Sequence, residues 1–188
     1  LINCAGRAYP HYFEDITHAQ FDNTMKTNLY GIWNTVSALV PHMKKKGGTI
    51  VNVSSLAGFI GVFGYTDYAA SKFAVVGFSE ALRSELRQCN ISVALLCPPD
   101  TDTPGFATEN LTKPEETRVL SKNTKVMQPD DVAREMIRGI RRETFLIIPC
   151  LDGKIVCFMK RHFPALVDSV MSREIAKVQR KKTCGRCR

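Results

Sequence analysis

The sequence predicts an α/β fold, in which helices cover both faces of a parallel sheet. Two short apolar and β-branched runs, residues 49–54 and 91–97, each follow a long helical pattern. The second run is apolar almost throughout, which is typical of a strand covered on both faces. A strand, long helix, strand, long helix, strand order indicates a doubly wound parallel sheet.

The first half of the chain supplies three of these elements. Residues 1–6 (LINCAG) have the pattern of a strand end running into a turn. Thr17 and Gln20 form a capping box at the start of the first long helix, which is predicted to end before Gly47 and Gly48. These glycines lead directly into the buried strand at residues 49–54.

The second half begins with a long helix predicted over residues 67–88. Residues 98–121 are polar, rich in proline and too long for a plain connection, so they predict a lid or substrate loop. Pro129, followed by two acidic residues, is a helix start signal, and residues 145–149 form a last short strand.

Net charge and cysteine content exclude some classes of function. The chain carries +8, but residues 173–188 hold seven basic residues and one acidic residue, so this tail accounts for +6. The tail lacks the interleaved aromatic residues of a nucleic-acid surface. Seven scattered cysteines suit free thiols in a reducing compartment, so we expect a cytoplasmic protein. Cys184 and Cys187 form a single CxxC motif. Since no second cysteine pair and no histidine pair accompany it, no metal site is expected.

A second, smaller region is predicted after the α/β part. Residues 1–150 are predicted to form the α/β part, which would be the catalytic part of an enzyme, and residues 151–188 are predicted to form an amphipathic segment with the basic tail. Charged residues interrupt the longest apolar run, so no membrane span is expected. Apolar residues recur at helical spacing over residues 155–171, with a break at Pro164. Two interpretations stay open: a helix packed on the core, or a helix lying on a membrane surface.

Three polar side chains are predicted to meet beyond the strand at residues 49–54. Tyr68 and Lys72 are four residues apart and share one helix face, while Ser55 follows the strand. A phenol, an ammonium and a hydroxyl together suit proton transfer to a carbonyl oxygen. The ammonium should lower the pKa of Tyr68, and the serine hydroxyl should donate to the oxygen on which charge develops.

This set resembles the signature of the short-chain dehydrogenase/reductase family, a serine followed after a dozen residues by Tyr-x-x-x-Lys. The resemblance implies the C-terminal part of a Rossmann-type sheet and an NADPH cofactor, with NAD(H) also open. Ser54 and Tyr65 lie beside the signature and are interpreted as a strand-end polar residue and a loop aromatic. Residues 1–6 resemble the family's Asn-Asn-Ala-Gly turn, with Cys4 at its second position, so the glycine-rich nucleotide-binding half would lie upstream.

The resemblance also implies roles for single residues. Asn28 matches an Asn-x-x-Gly pattern with Gly31 and would hold a water in the proton path to Lys72; alternatively, it is a core asparagine bonded to backbone. The implied catalytic residues are Asn28, Ser55, Tyr68 and Lys72. The implied cofactor-binding residues are Asn3, Ala5, Gly6, Tyr68, Lys72, Pro98, Thr101 and Thr103, with the two threonines at nicotinamide-contacting positions.

Residues 98–121 look like the same stretch of the 3-ketodihydrosphingosine reductases, with Pro99 where the wider family has glycine. This resemblance implies NADPH-dependent reduction of a long-chain 3-keto sphingoid base by a homo-oligomer, with Tyr68 as proton donor and peripheral membrane contact. The alternatives are a short-chain reductase of another ketone or of a 3-oxoacyl thioester, and a truncated, catalytically silent protein. The expected substrate contacts are apolar ones from Phe106 and Leu111 and polar ones from Lys113 and Arg118.

Overall fold

The computed structural model describes residues 1–122 and 124–186, with side chains up to residue 182. Within these ranges, four strands form one sheet in which neighbours along the chain are neighbours in space and every pairing is parallel. The strands are β1 (Ile2–Asn3), β2 (Gly48–Val53), β3 (Ile91–Leu96) and β4 (Leu146–Ile147). The predicted parallel α/β sheet is therefore confirmed.

Helices cover both faces of this sheet. The helices are α1 (His18–Met25), α2 (Gly31–Met43), α3 (Thr66–Leu86), α4 (Pro104–Thr112), α5 (Glu115–Ser121), α6 (Pro129–Arg141), α7 (Leu151–His162) and α8 (Pro164–Arg186). Ile32 of α2 and Val75 of α3 pack with Ile50 of β2 in one apolar cluster. On the other face, Val132 of α6 packs with Val51 of β2. The alternation of Ile50 and Val51 along β2 thus places a helix layer on each side.

The first long helix begins as predicted, but a π turn interrupts it. Thr17 accepts a hydrogen bond from the Gln20 amide at 3.2 Å, and the Gln20 side chain accepts from the Thr17 amide at 2.8 Å, which completes the capping box. The π turn, Lys26–Tyr30, separates α1 from α2 and contains the buried Asn28. Such turns often occur at functional sites, because they displace one side chain from the regular helical register.

Residues 98–121, predicted to be a lid or substrate loop, contain two helices, and their role as a lid stays a prediction. The Thr103 side chain accepts a hydrogen bond from the Phe106 amide at 3.1 Å and caps α4, whose first residue is a proline. Thr117 of α5 is buried and donates to the Phe63 carbonyl at 2.6 Å. We call α4 and α5 the lid helices.

The last two helices expose much of their apolar surface. Ile155 and Phe158 of α7, and Leu166 and Val170 of α8, are 51–57% exposed. Cys157 of the same segment packs against the core, so the structure supports core packing for one part of α7 and exposure for another. Within the described ranges, no helix combines the length and apolar character that crossing a membrane requires. The terminal cysteine pair lies outside the described residues, since Cys187 and the side chain of Cys184 are not described.

Candidate active site

The predicted site residues come together at the carboxyl ends of the parallel strands, the usual ligand-binding edge of such sheets. The exposed turn at Ala5 and Gly6 follows β1, Ser55 follows β2, and Pro98 follows β3. The amide next to Ser55, that of Leu56, donates to the Pro98 carbonyl at 3.1 Å. The turns after β2 and β3 are therefore held side by side.

Tyr68 is held in the first turn of α3 by a buried polar network that sequence reasoning missed. The carboxylate of Asp67, which is 1% exposed, accepts the Tyr68 amide at 2.8 Å and the Thr24 hydroxyl at 2.7 Å. This network joins α1 to the N-terminus of α3, where a negative charge is also favoured by the helix dipole. The only sequence signal was an acidic residue at a helix start.

The prediction that Lys72 lowers the pKa of Tyr68 is wrong in direction. Burial raises the pKa of Tyr68, a hydrogen bond with Ser55 opposes this change, and the Glu109 and Asp100 carboxylates add to it. The Lys72 ammonium donates to the Val53 carbonyl at 3.0 Å and lies 5.5 Å from the centre of the Tyr68 ring. Desolvation of the phenolate therefore exceeds the opposing effect of Ser55.

Lys72 itself is almost completely buried, and this burial lowers the pKa of its ammonium to about 8. Among the described residues it donates one hydrogen bond, although an ammonium has three donors. The turn after β1 approaches it closely: a Cβ on Gly6 would lie 3.4 Å from Lys72 Nζ. Nearby, the buried Arg7 Nε has no hydrogen-bond partner in the described part of the chain.

These features fit the ribose end of a dinucleotide cofactor. Gly6, which is exposed and has no side chain, lies beside an ammonium with spare donors, as hydroxyl recognition requires. Lys72 would hold the ribose hydroxyls, and Ala5 and Gly6 would lie against the cofactor. The cofactor itself would supply hydride chemistry when bound.

Asn28 has the contacts of a core asparagine. It is fully buried, its amide donates to the Arg7 carbonyl at 3.0 Å and the Ser71 hydroxyl at 2.9 Å, and its oxygen accepts the Arg7 amide at 2.8 Å. Asn28 thus ties the turn after β1 to the helix that carries Tyr68 and Lys72. Its role in holding a relay water stays a prediction.

Three residues predicted to bind the cofactor form side-chain hydrogen bonds with other residues of the chain. The Asn3 amide donates to Asn52 Oδ1 at 2.8 Å, and Asn3 Oδ1 accepts the Thr35 hydroxyl at 2.7 Å. The Thr101 hydroxyl donates to the Pro99 carbonyl at 2.9 Å, while Thr103 caps α4. These bonds fix the turns after β1 and β3, and contacts of these residues with a nicotinamide stay predictions.

Tyr65 is a loop aromatic, as predicted, since it immediately precedes α3, and it also forms part of the site wall. It is 7% exposed, its ring lies 5.6 Å from the ring of Tyr68, and its hydroxyl donates to Glu109 of α4. A tyrosine three residues before the signature carried no sequence signal for this contact. Ser54 is a strand-end polar residue, as predicted, and its hydroxyl donates to the Lys72 carbonyl at 2.9 Å.

The lid helices place one ion pair near these tyrosines. Lys113 lies 3.3 Å from Glu109, and its side chain is 3% exposed. Its ammonium also lies 4.7 Å from the centre of the Phe106 ring. Leu111 is 78% exposed and Arg118 donates to the Lys113 carbonyl at 2.9 Å, and contacts of these residues with a substrate stay predictions.

Comparison with known proteins agrees with this arrangement. The family model described as short chain dehydrogenase matches residues 1–114. The chain is 45% identical over 146 residues to the 3-ketodihydrosphingosine reductase of Bos taurus, covering 77% of this chain and 44% of the relative. It is 45% identical over 150 residues to the enzyme of that name from Dictyostelium discoideum, covering 78% and 45%. The chain therefore spans less than half the length of these relatives.

A solved structure with the same fold is the short-chain dehydrogenase from Sphingobium yanoikuyae in complex with NADPH. It superposes with a TM-score of 0.71 at 25% identity, covering 95% of this chain and 64% of that one. The parallel sheet, the serine, tyrosine and lysine beyond its strands, and the match over residues 1–114 lead to one assignment. The chain belongs to the short-chain dehydrogenase/reductase family.

Proposed function

We propose that the chain is the catalytic part of an NADPH-dependent reductase that acts on a long-chain 3-keto sphingoid base. The observation that carries this proposal is the 45% identity to two reductases whose names state that substrate. The NADPH complex of the Sphingobium dehydrogenase supports the choice of cofactor, and NADH is tested alongside it.

The chemistry assigned to the chain is proton transfer to the carbonyl oxygen as a hydride reaches the carbonyl carbon. Tyr68 gives the proton, Ser55 donates a hydrogen bond to the same oxygen, Lys72 binds the ribose, and Asn28 supports the proton relay. The raised pKa of Tyr68 keeps its phenol protonated at neutral pH, which is the form that reduction requires. Ser55 opposes the rise in the pKa of Tyr68, and this interaction supports their shared action on one oxygen.

The test compares substrates and then removes the proton donor. The longest polypeptide that the gene encodes is assayed with NADPH or NADH on 3-ketosphinganine, a 3-oxoacyl thioester and a simple ketone. We expect preference for 3-ketosphinganine with NADPH. Tyr68→Phe should lower turnover by about 10²- to 10⁴-fold and leave NADPH affinity nearly unchanged, because only the phenolic proton is lost.

Tyr65→Phe is the matched control, since it removes a neighbouring phenol that donates to Glu109 rather than to the substrate. It should retain most of the turnover. Substantial activity of the Tyr68 variant would contradict the assignment of the proton donor. Preference for the thioester or the simple ketone would contradict the sphingoid substrate and favour another short-chain reductase. Lack of activity on all three would favour the catalytically silent alternative.

We also propose peripheral membrane contact through α7 and α8. Leu151, Ile155 and Phe158 lie on one face of α7 at helical spacing and are 51–70% exposed. Basic residues fill the last turn of α7, and the tail that follows carries most of the net charge. An exposed apolar strip flanked by positive charge suits the surface of an anionic bilayer, where a long-chain substrate resides.

A homo-oligomer is proposed through the outer faces of α2 and α3. Trp33 and Tyr30 are 58% and 52% exposed there, and Phe73 of α3 is 45% exposed. A groove of about 500 Å³ lies between the two helices, lined by Leu29, Tyr30, Trp33, Asn34, Ala74 and Phe78. Exposed aromatic side chains around an apolar groove suit burial against a second copy. A monomeric mass in sedimentation velocity would rule this out.

A further inference from the structure

Asp100 is a carboxylate in the candidate active site that the proposed reaction does not use. It follows the end of β3, two residues after the Pro98 carbonyl that accepts the Leu56 amide. Its backbone is fixed, because its carbonyl accepts the Met127 amide at 2.9 Å. Within the described ranges, no side chain donates a hydrogen bond to its carboxylate.

Asp100 lies at the same sheet edge as Ser55, because the turn that precedes it is bonded to the Leu56 amide. It contributes to the raised pKa of Tyr68 and also to that of Tyr65. Burial raises the pKa of Asp100 itself, and the positive charge of Lys113 opposes this change only in part. A partly buried carboxylate without a hydrogen-bond donor is unfavourable unless a ligand supplies the missing counter-charge.

The neighbouring lid charges are already paired with each other. Lys113 forms an ion pair with Glu109 at 3.3 Å, and Glu109 also accepts the Tyr65 hydroxyl. Lys72 directs its ammonium to the Val53 carbonyl. Asp100 therefore leaves an excess negative charge on the lid side of Tyr68, which favours a cationic group on the substrate.

We propose that Asp100 binds the protonated amine of a substrate that carries this amine on the carbon next to the ketone. The inference rests on the proposed function, because a 3-keto sphingoid base has its amino group at that carbon. A carbonyl oxygen at Tyr68 and Ser55 would bring the adjacent ammonium toward the carboxylate. Asp100 is thus a specificity-determining residue that distinguishes amino ketones from plain ketones.

The arrangement has a second consequence for the proton donor. An ammonium bound at Asp100 offsets the negative charge that raises the pKa of Tyr68. The substrate's own charge would then make Tyr68 a stronger acid while the substrate is bound. A ketone that lacks the amine would lose both its binding contact and this effect on Tyr68.

The experiment compares Asp100→Asn with the wild type on two ketones of equal chain length. One is 3-ketosphinganine, and the other is the same 3-ketone without the 2-amino group. Loss of a charge-assisted hydrogen bond should raise KM for the amino ketone by about 10- to 100-fold in the variant. KM for the plain ketone should stay within about twofold, and Asp100→Glu should restore part of the preference.

Asp102→Asn is the matched control, because Asp102 lies two residues further on, is exposed, and interacts with Gln128. It should change neither KM. Thermal unfolding of Asp100→Asn should match the wild type or exceed it, since the variant removes a charge that burial disfavours. Equal effects of Asp100→Asn on both ketones, or no effect on either, would overturn the inference and leave the proposed function intact. A wild type that reduces neither ketone would instead refute the proposed function.

Discussion

At the scale of single residues, the site depends on the cost of burying Lys72. Its side chain lies between the turn after β1 and the end of β2, and its ammonium has one carbonyl acceptor among the described residues. Burial lowers its pKa from 10.5 to about 8. The protein therefore holds a cation where solvation is poor, which is reasonable only if a bound group later uses its remaining donors.

This cost predicts a specific dependence of stability on pH. Because the pKa of Lys72 is lower in the folded state, the unfolded chain binds its proton more tightly, and wild-type stability should rise as pH increases from about 8 to about 10.5. Below that window the burial costs about 3 kcal/mol. In Lys72→Met, whose side chain has no charge, this rise should be absent.

Urea unfolding of both proteins across that pH range measures the difference. The free energy of unfolding of the variant relative to wild type should fall as pH rises. Lys154→Met, at an exposed position on α7, controls for the loss of a lysine as such. A difference between Lys72→Met and wild type that does not change with pH would show that burial of this ammonium is not costly.

Sequence reasoning placed together those candidate residues whose positions follow from spacing. Ser55, Tyr68 and Lys72 were predictable because one strand end and four residues of helix determine where they point. Asp67 and Tyr65 were not, because their contacts join segments far apart in the chain. The direction of the Tyr68 pKa was missed because burial is a property of the packed molecule, not of the sequence interval.

At the scale of elements, one polar cluster fastens the last helix to the lid. Lys182 of α8 donates to both oxygens of Glu116 of α5 at 2.9 Å, and to the Tyr12 hydroxyl at 2.8 Å. The Tyr12 hydroxyl in turn donates to Glu116 at 2.9 Å. The Glu116 side chain is 2% exposed and that of Lys182 is 33% exposed, so this is a partly buried ion pair.

Removing the cation should loosen this attachment. Lys182→Met leaves a buried carboxylate with Tyr12 as its remaining side-chain donor, and should lower the free energy of unfolding by about 1–3 kcal/mol at neutral pH. Lys181→Met, at the exposed neighbouring position, should cost less than about 0.5 kcal/mol. Denaturant unfolding of both variants checks the comparison, and equal costs would contradict it.

The loss of stability in Lys182→Met should be smaller at low pH. Burial opposes ionisation of Glu116, but hydrogen bonds from Lys182, from the backbone and from Tyr12 outweigh it and lower the pKa of this carboxyl. Its contribution to stability is therefore present above the ordinary carboxyl pKa and is lost as pH falls through the folded-state value. The difference in the free energy of unfolding between Lys182→Met and wild type should therefore become smaller at acidic pH.

The ends of helices and strands were predictable where the local sequence carries a signal. They were not predictable where contacts with distant residues determine them. The capping box at Thr17, the glycines before β2 and the proline at α6 all predicted their element ends. The lid helices were missed because a polar, proline-rich stretch lacks an apolar period. Thr117 and Glu116 order α5 through bonds to Phe63 and Lys182, which lie far away in sequence.

At the scale of the whole molecule, the candidate active site at the sheet edge is connected to the exposed apolar face of α7 and α8. Of the lid helices, α4 contacts Tyr65 of the site through Glu109, while α5 is bonded to α8, which follows α7 in the chain. The parallel sheet could be predicted because each strand is a local run with glycine or polar boundaries. The exposure of α7 and α8 could not, because amphipathic spacing fits a core helix and a surface helix equally well.

This connection makes membrane contact a property that can be measured on the intact protein. The longest polypeptide that the gene encodes should sediment with phosphatidylserine vesicles at low salt, because each basic residue near an anionic surface contributes about 1 kcal/mol. High salt should weaken binding as it screens these charges.

Phe158→Ser combined with Leu166→Ser should weaken binding at every salt concentration, since these two side chains are 57% and 53% exposed. Ser169→Ala, on the less exposed face of α8, is the control and should bind like the wild type. Vesicle binding that does not change with salt concentration, or an unchanged affinity of the double variant, would show that α7 and α8 do not bind the membrane in this way.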